Sequence, residues 1–371
     1  MTKQEYLEAG KNVIYLVACA VRSERPDPYK IRAMDLTQVY EVASNHLVLS
    51  AVGMALERAG IQNGPFVNAV ARAQQKNALL DADRSAVLAK MEEAGIWYMP
   101  LKGAVLKNLY PRYGMREMAD NDILFDKDRG DDLRRIMVDL GFTVKNFDNG
   151  PHDVYYKKPV SNFEMHRTLF SASMKEDLYS YYANVMDRLI PDQGKKYGYH
   201  FSDEDFYIYI ITHEYKHYST CGIGIRSLLD TYVYLKRKKL DMKYVFREMG
   251  KIGIADFELK NRNLAFRLYN GESLTSEEEE MLNYIIFSEA YGTAENGATN
   301  GIKEKGRLGY FLSRLTLPRD VYEGMFPILR KAPFLYPACW VLRLLRGFIL
   351  HNKTFMAQLE AVLGLNKKND E

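Results

Sequence analysis

The stretch that decides the fold reads Met-Pro-Leu-Lys-Gly at residues 99–103 and continues, after a loop, as Arg-Glu-Met-Ala-Asp-Asn-Asp-Ile-Leu-Phe at residues 116–125. The first part ends a short apolar run with a Lys-Gly turn, where a helix is predicted to begin. The second part places Asp120 and Asp122 at the head of another apolar run, and alternation along a strand predicts that both face the same way. Because adjacent carboxylates repel one another, the pair predicts a divalent cation between them.

A third carboxylate is available on a later predicted strand. Residues 162–166 alternate like a strand, so Glu164 and His166 share one of its faces. Together with Asp120 and Asp122, Glu164 would complete a carboxylate triad that holds Mg²⁺ or Mn²⁺ for phosphoryl chemistry. The alternative for Glu164 is an exposed strand acid without a function.

The Lys-Gly turn at residues 102–103 lies where a strand turns into a helix. Gly103 permits close approach of a ligand to the backbone, and the free N–H groups of a helix start favour phosphate. Lys102 and Arg116 can each add a positive charge to such a site. A surface basic pair beside an ordinary turn is the alternative interpretation.

The chain has the composition of an ordinary globular protein. Of its 371 residues, 47% are hydrophobic, which is enough for a sizeable core and more than one structural unit. The 51 basic and 48 acidic residues nearly cancel, so charge gives no strong nucleic-acid signal. The 27 tyrosines and 17 phenylalanines are therefore assigned to packing rather than to base stacking.

The three cysteines are far apart, which favours a reducing compartment without a disulfide framework. The sequence predicts neither a signal peptide nor a transmembrane segment, and we expect a cytoplasmic protein. The apolar stretch 337–350 is predicted to be a buried C-terminal helix, with a helix on a membrane surface as the alternative.

Helical spacing dominates on both sides of a short mixed segment. Apolar residues recur at three- and four-residue intervals in residues 1–94 and again in 171–371, whereas 95–170 alternate between short strands and helices. We therefore predict an α+β fold with three regions, a small mixed-sheet core at 95–170 and helical regions on either side. The Gly- and Asn-rich residues 292–309 are predicted to form a mobile loop, and the polar tail from Leu365 onward is predicted to fray.

The motifs of the central region resemble those of the uncharacterised nucleotidyltransferase family of the polymerase-β-type superfamily. The matching segments are Leu-Lys-Gly at 101–103, Tyr-Pro at 110–111, Arg116, Asp-Asn-Asp at 120–122 and Glu-Met-His at 164–166. Two features differ from better-known members of the superfamily: Lys-Gly-Ala replaces Gly-Ser or Gly-Gly at the turn, and the gap to the paired acids is longer.

This resemblance implies a role for each matching residue. Lys102 and Gly103 would form the turn that binds the triphosphate, and the acids Asp120, Asp122 and Glu164 would be the metal ligands and the catalytic residues. Arg116 and His166 match the family pattern as well and are assigned to nucleotide binding. The implied reaction moves a nucleoside monophosphate from an NTP to an unknown small-molecule or macromolecular acceptor. A catalytically inactive module of the same fold, which only binds nucleotide or a partner, is the alternative.

A competing motif lies in the helical region after the core. Residues 213–217 read His-Glu-Tyr-Lys-His, the H-E-x-x-H form of zinc metalloproteases. A zinc metallohydrolase would use His213 and His217 as ligands and Glu214 as the general base, with Glu248 as a conceivable third ligand. We prefer a helix packed beside the α/β unit, its histidines facing the cleft or making core hydrogen bonds. On the next helix, Arg226 and Asp230 are predicted to form an intrahelical ion pair, and Arg226 facing the nucleotide is the alternative.

Overall fold

The computed structural model describes residues 1–170, 176–317 and 319–350, so the predicted polar tail from Leu365 onward lies outside the described residues. The chain begins with five helices, α1–α5, at Lys3–Arg22, Pro28–Arg32, Leu36–Asn45, Leu49–Arg58 and Gly64–Ala94. The long helix α5 has Pro65 in its first turn and ends at Ala94, where Gly95 caps it with a left-handed φ of 69°.

The central region forms a five-stranded mixed sheet. Its elements in chain order are β1 (Tyr98–Pro100), α6 (Gly103–Leu106), β2 (Asn121–Phe125), α7 (Gly130–Asp139), β3 (Thr143–Asn146), β4 (His152–Lys157) and β5 (Ser161–His166). The strands are ordered β1-β2-β5-β4-β3, and β2 and β5 run parallel while the other neighbours are antiparallel. Together with the flanking helices, this sheet confirms the predicted α+β fold class.

The register of the two parallel strands decides where the polar side chains meet. Asp122 of β2 lies opposite Glu164 of β5. The alternate residues Ile123 and Phe163 point to the other face, where α5 and α7 cover the sheet with a compact apolar cluster. One face of these strands is therefore core, and the acidic residues face away from it.

After the sheet the chain is again mostly helical. In chain order it forms α8 (Glu176–Tyr182), β6 (Leu189–Pro191), β7 (Tyr199–Phe201), α9 (Asp203–Thr220), α10 (Ile225–Arg237), α11 (Met242–Lys251), α12 (Ala255–Asn270), α13 (Ser276–Ser288), α14 (Ala294–Leu315), α15 (Arg319–Met325) and α16 (Tyr336–Leu350). The antiparallel pair β6–β7 was not predicted, because strands of three residues are too short to carry a recognisable alternation.

The helices before and after the sheet share one hydrophobic core. Val17 of α1 and Val52 of α4 are fully buried in the same cluster as Leu228 of α10 and Leu264 of α12. This shared core holds α9 and α10 against the acidic face of the sheet. The region boundaries expected at 94/95 and 170/171 stay predictions.

Two expectations for the C-terminal region were wrong. Most of the predicted loop 292–309 belongs to helix α14, which Thr293 caps and Gly306 interrupts with a φ of 70°. Asn300 supports this helix by donating hydrogen bonds to the Thr220 carbonyl and the Tyr284 hydroxyl, partners that spacing along the chain does not reveal. The C-terminal helix forms as α16, but Leu342 and Leu345 are more than half exposed rather than buried. Among the described residues, no helix combines the length and apolar character that crossing a bilayer requires.

Candidate functional site

Three of the predicted site residues converge at the ends of β2 and β5. One potential ligand atom from each of Asp122, Glu164 and His166 lies within 4.8 Å of the others. Asp120 directly precedes β2, and the charges of Asp122 and Glu164 both act on its carboxyl group. The parallel pairing of β2 with β5 therefore brings all three predicted acids to one place, although their roles as metal ligands stay predictions.

Asp122 is the most firmly held of the acids. Its Oδ1 accepts hydrogen bonds from the Lys102 Nζ at 2.8 Å and from the His166 Nε2 at 2.8 Å. Burial alone would raise the pKa of Asp122, but the charge of Lys102 and the hydrogen bond from His166 outweigh burial and lower it. Burial lowers the pKa of His166, so the imidazole is neutral and donates its Nε2–H to the carboxylate.

The other two acids lack such compensation. Burial, followed by the charges of Asp122 and Glu164, raises the pKa of Asp120 to about 7. Burial and then the charge of Asp122 also raise the pKa of Glu164. None of the described residues donates a hydrogen bond to either group. Asp120 and Glu164 are partly buried. Carboxylates that repel one another and accept no hydrogen bond are the donor set that Mg²⁺ prefers, so these residues fit a divalent cation.

The Lys-Gly turn has an unusual backbone conformation at the N-terminus of α6. Lys102 has a φ of 41°, which is strained for a residue with a side chain, and this conformation accompanies the contact of its ammonium group with Asp122. Gly103 is buried, and a Cβ there would lie 2.5 Å from Arg116 Nη1 and 2.7 Å from Met118 Sδ. A larger residue here would displace the ends of the Arg116 and Met118 side chains. Phosphate binding by the turn stays a prediction.

Arg116 is buried, and most of its guanidinium group is engaged in hydrogen bonds. Its Nε and Nη2 each donate a 2.8 Å hydrogen bond to the carboxylate of Asp230, and the Tyr110 hydroxyl donates a third at 2.6 Å. The predicted Arg226–Asp230 pair is therefore wrong. Residues four apart on a helix are close enough to pair, but the bidentate hydrogen bonds that Arg116 makes with Asp230 form a stronger ion pair. The remaining nitrogen, Nη1, donates a weaker 3.4 Å hydrogen bond to Met118 Sδ, and the predicted nucleotide contact of Arg116 stays a prediction.

The histidines of the H-E-x-x-H motif line the same cleft from the side of α9. His213 and His217 face each other with their Nε2 atoms 3.3 Å apart. Glu214, however, accepts hydrogen bonds from Asn261 and Thr231 in the core. In the described part of the chain, neither histidine belongs to a cluster with metal-ligand geometry. The conceivable third ligand Glu248 forms ion pairs with Arg188, Arg247 and Lys251. The geometry therefore does not support the zinc site.

The cleft between the sheet and the helices has a volume of about 270 Å³. The acids and Lys102 line one wall, and α9 and α10 form the other, which includes Arg226. Instead of pairing with Asp230, Arg226 donates a hydrogen bond from Nη1 to the Glu117 carbonyl. Tyr291 lies at the edge of this cleft and was missed by the sequence analysis, since it follows the acids by well over a hundred residues and carries no local motif.

Comparison with known proteins gives one finding. The model of a family described as an uncharacterised nucleotidyltransferase matches residues 32–270, which is well over half of the chain. The match runs from the end of α2 to the end of α12, so it includes both the sheet that carries the acids and the helices that form the opposite wall. No curated protein and no solved structure shows a significant match to the chain.

Proposed function

The chain belongs to the uncharacterised nucleotidyltransferase family, and we propose that it transfers a nucleoside monophosphate from an NTP to an acceptor hydroxyl, with Mg²⁺ or Mn²⁺ as the cofactor. One observation carries the proposal. Asp122 and Glu164 lie opposite each other on parallel strands, with Asp120 just before the first strand, and the cleft that they line also contains Lys102. Such a site offers oxygen ligands for a cation and positive charge for a triphosphate.

The proposed reaction forms one bond and breaks one. The acceptor oxygen bonds to the α-phosphorus while the bond from this phosphorus to the α–β bridging oxygen breaks, pyrophosphate leaves, and the hydroxyl proton passes to solvent. A divalent cation bound by Asp120, Asp122 and Glu164 would neutralise the phosphate oxygens and favour attack by the acceptor. His166 keeps the Asp122 carboxylate in a fixed orientation through its hydrogen bond, and Lys102 remains beside it as a permanent positive charge.

The first experiment separates an enzyme from an inactive nucleotide-binding module. Thermal shift with ATP, GTP, CTP and UTP, each with and without Mg²⁺, reports binding, and pyrophosphate release with candidate acceptors reports turnover. We expect at least one NTP to stabilise the protein only in the presence of the metal. Binding without pyrophosphate release from any acceptor would favour the inactive module.

The matched variants are Asp120→Asn and Asp128→Asn. Asp120 is a partly buried acid whose pKa is raised to about 7, so the neutral amide should fold at least as well as the acid. We expect Asp120→Asn to lose metal-dependent NTP binding and turnover. Asp128 is an exposed acid just after β2, and its replacement should change neither. Undiminished turnover in Asp120→Asn would end the proposal.

We also propose that the protein acts in the cytoplasm. Cys19, Cys221 and Cys339 are all free thiols, which a reducing compartment maintains.

A further inference from the structure

A short loop between α13 and α14 carries an aromatic ring to the edge of the cleft. Tyr291 is 66% exposed, yet together with Ala290 it lines the same cleft as the acids and Arg226. Partial burial raises the pKa of the Tyr291 hydroxyl, and the charges of Arg226 and Asp120 act on the same group. The ring therefore lies near the reactive acids while most of its surface stays open.

The loop is held rigidly on its α3 side. The Ala290 N–H donates a 3.0 Å hydrogen bond to the Asn45 carbonyl, and the Asn45 side chain donates a 3.1 Å hydrogen bond to the Glu289 carboxylate. Glu289 adopts a φ of 56° and a ψ of −173°, a conformation that is strained for any residue with a side chain. Such strain persists only where surrounding contacts impose it, and the hydrogen bonds to Asn45 are contacts of this kind.

The other side of the loop packs against the turn between α9 and α10. The Thr293 N–H donates to the Cys221 carbonyl at 2.9 Å, and a Cβ on Gly292 would lie 2.4 Å from that carbonyl oxygen. Gly224 approaches the loop equally closely, because a Cβ there would lie 2.8 Å from the Ala290 Cα. Two glycines thus allow the loop to contact the turn directly, which fixes Tyr291 relative to helix α10.

The size of the cleft indicates what the ring contacts. At about 270 Å³, the cleft lies below the ~300–1,000 Å³ typical of sites that enclose a whole small molecule. A triphosphate placed beside Lys102 and the acids would fill it, so the remainder of an NTP must extend to the edge. Every NTP carries a nucleobase, which is its one planar aromatic group. Tyr291 is 66% exposed, so a base can reach its ring.

We propose that Tyr291, held over the cleft by the anchored loop 289–292, is the surface on which the nucleobase of the NTP stacks. This inference rests on the proposed function and adds a specific binding residue to it. Stacking of a base on an aromatic side chain is tolerant of base identity, because every base has a π face. The ring would therefore contribute affinity for all four NTPs rather than choose among them.

The test compares ligands with and without a base. The probes are the α,β-methylene analogues of the four NTPs, which resist cleavage at the bond that the reaction breaks, and inorganic tripolyphosphate, which lacks a base. Isothermal titration calorimetry in the presence of Mg²⁺ gives Kd for wild type, Tyr291→Ala and Tyr291→Phe. Tyr29→Ala is the matched control, because Tyr29 is 78% exposed on α2 and does not line the cleft.

We expect Tyr291→Ala to weaken binding of the NTP analogues by about 5- to 140-fold, the range that base stacking provides, and to leave tripolyphosphate binding unchanged. Tyr291→Phe and Tyr29→Ala should bind like wild type. Unchanged NTP affinity in Tyr291→Ala overturns the inference but leaves the proposed function intact. An equal loss for NTP and tripolyphosphate also overturns it, since the loop would then only support the cleft. Wild-type protein that binds no NTP analogue rejects the proposed function and this inference with it.

Discussion

Replacing Lys102 by methionine tests whether positive charge among the acids is what this site requires. The substitution keeps the aliphatic part of the side chain and removes the ammonium group that lies 2.8 Å from Asp122 Oδ1. Asp122 is only 5% exposed, so its carboxylate depends mainly on protein partners for its hydrogen bonds. Breaking a buried ion pair by removing one partner costs about 3–5 kcal/mol, and we expect the lower end because His166 still donates to the same oxygen.

This cost converts into a measurable shift of Tm. With an unfolding entropy of about 2.1 cal/mol/K per residue, a loss of about 3 kcal/mol in a chain of this length lowers Tm by about 4 °C. The full difference in Tm between wild type and Lys102→Met should appear in EDTA. In Mn²⁺ this difference should be smaller, because a divalent cation restores positive charge between Asp122 and Glu164. Metal at about 100 times Kd stabilises a protein by about 2.7 kcal/mol. In wild type the ammonium group of Lys102 already pairs with Asp122 and repels a cation, so Mn²⁺ should stabilise Lys102→Met more than wild type and narrow the difference in Tm.

The assay is thermal unfolding in EDTA and in excess MnCl₂, for wild type, Lys102→Met and a control. The matched control is Lys107→Met, because Lys107 is a buried lysine that also pairs with an aspartate, Asp81, but does not line the cleft. We expect both variants to be less stable than wild type in EDTA. All three proteins keep the acids and should gain stability in Mn²⁺, but only for Lys102→Met should the deficit relative to wild type shrink. No gain in any of the three proteins, or a deficit that shrinks equally in both variants, would refute the reasoning that the acids form a cation site beside Lys102.

Two further predictions concern buried polar groups outside the metal chemistry. His46 is buried with hydrogen bonds to the Ile286 carbonyl and the Ile225 N–H, and burial lowers its pKa to about 4. The folded-state pKa of His46 thus lies below the unfolded value of about 6.5, so the stability that neutral His46 contributes is present above pH 6.5 and lost as pH falls towards 4, by about 3 kcal/mol. In urea titrations the stability advantage of wild type over His46→Gln should shrink by this amount between pH 7 and pH 4. A difference that stays constant with pH would contradict the reasoning. Tyr110→Phe should lower the free energy of unfolding by about 1.5–3 kcal/mol, because it removes a buried hydrogen bond to the charged carboxylate of Asp230. An unchanged urea midpoint would show that this hydrogen bond contributes nothing to stability.

Local patterns predicted those parts of the site that lie within one strand. Alternation assigns Glu164 and His166 to one face of β5, and the structure has both side chains next to Asp122. Helix ends were predictable for the same reason: Thr275 and Glu278 form the capping box that begins α13, and every group in that motif lies within one helical turn.

Contacts between distant segments were not predictable in this way. Spacing favoured Arg226 as the partner of Asp230, whereas Arg116, more than a hundred residues earlier in the chain, forms the ion pair. The residues after Gly292 looked like a loop because glycine and asparagine disfavour helices, yet tertiary hydrogen bonds such as those of Asn300 stabilise a helix there.

The sequence by itself thus determined the α+β fold class, the acidic pair at the start of β2 and the third acid on β5, because each depends on periodicity within a few residues. Only the tertiary structure decided that β2 and β5 lie side by side and in register, that Lys102 neutralises Asp122, and that Tyr291 lies at the edge of the same cleft. Such choices depend on through-space distance and on which partner satisfies a buried charge best, and neither quantity is encoded in the spacing of residues along the chain.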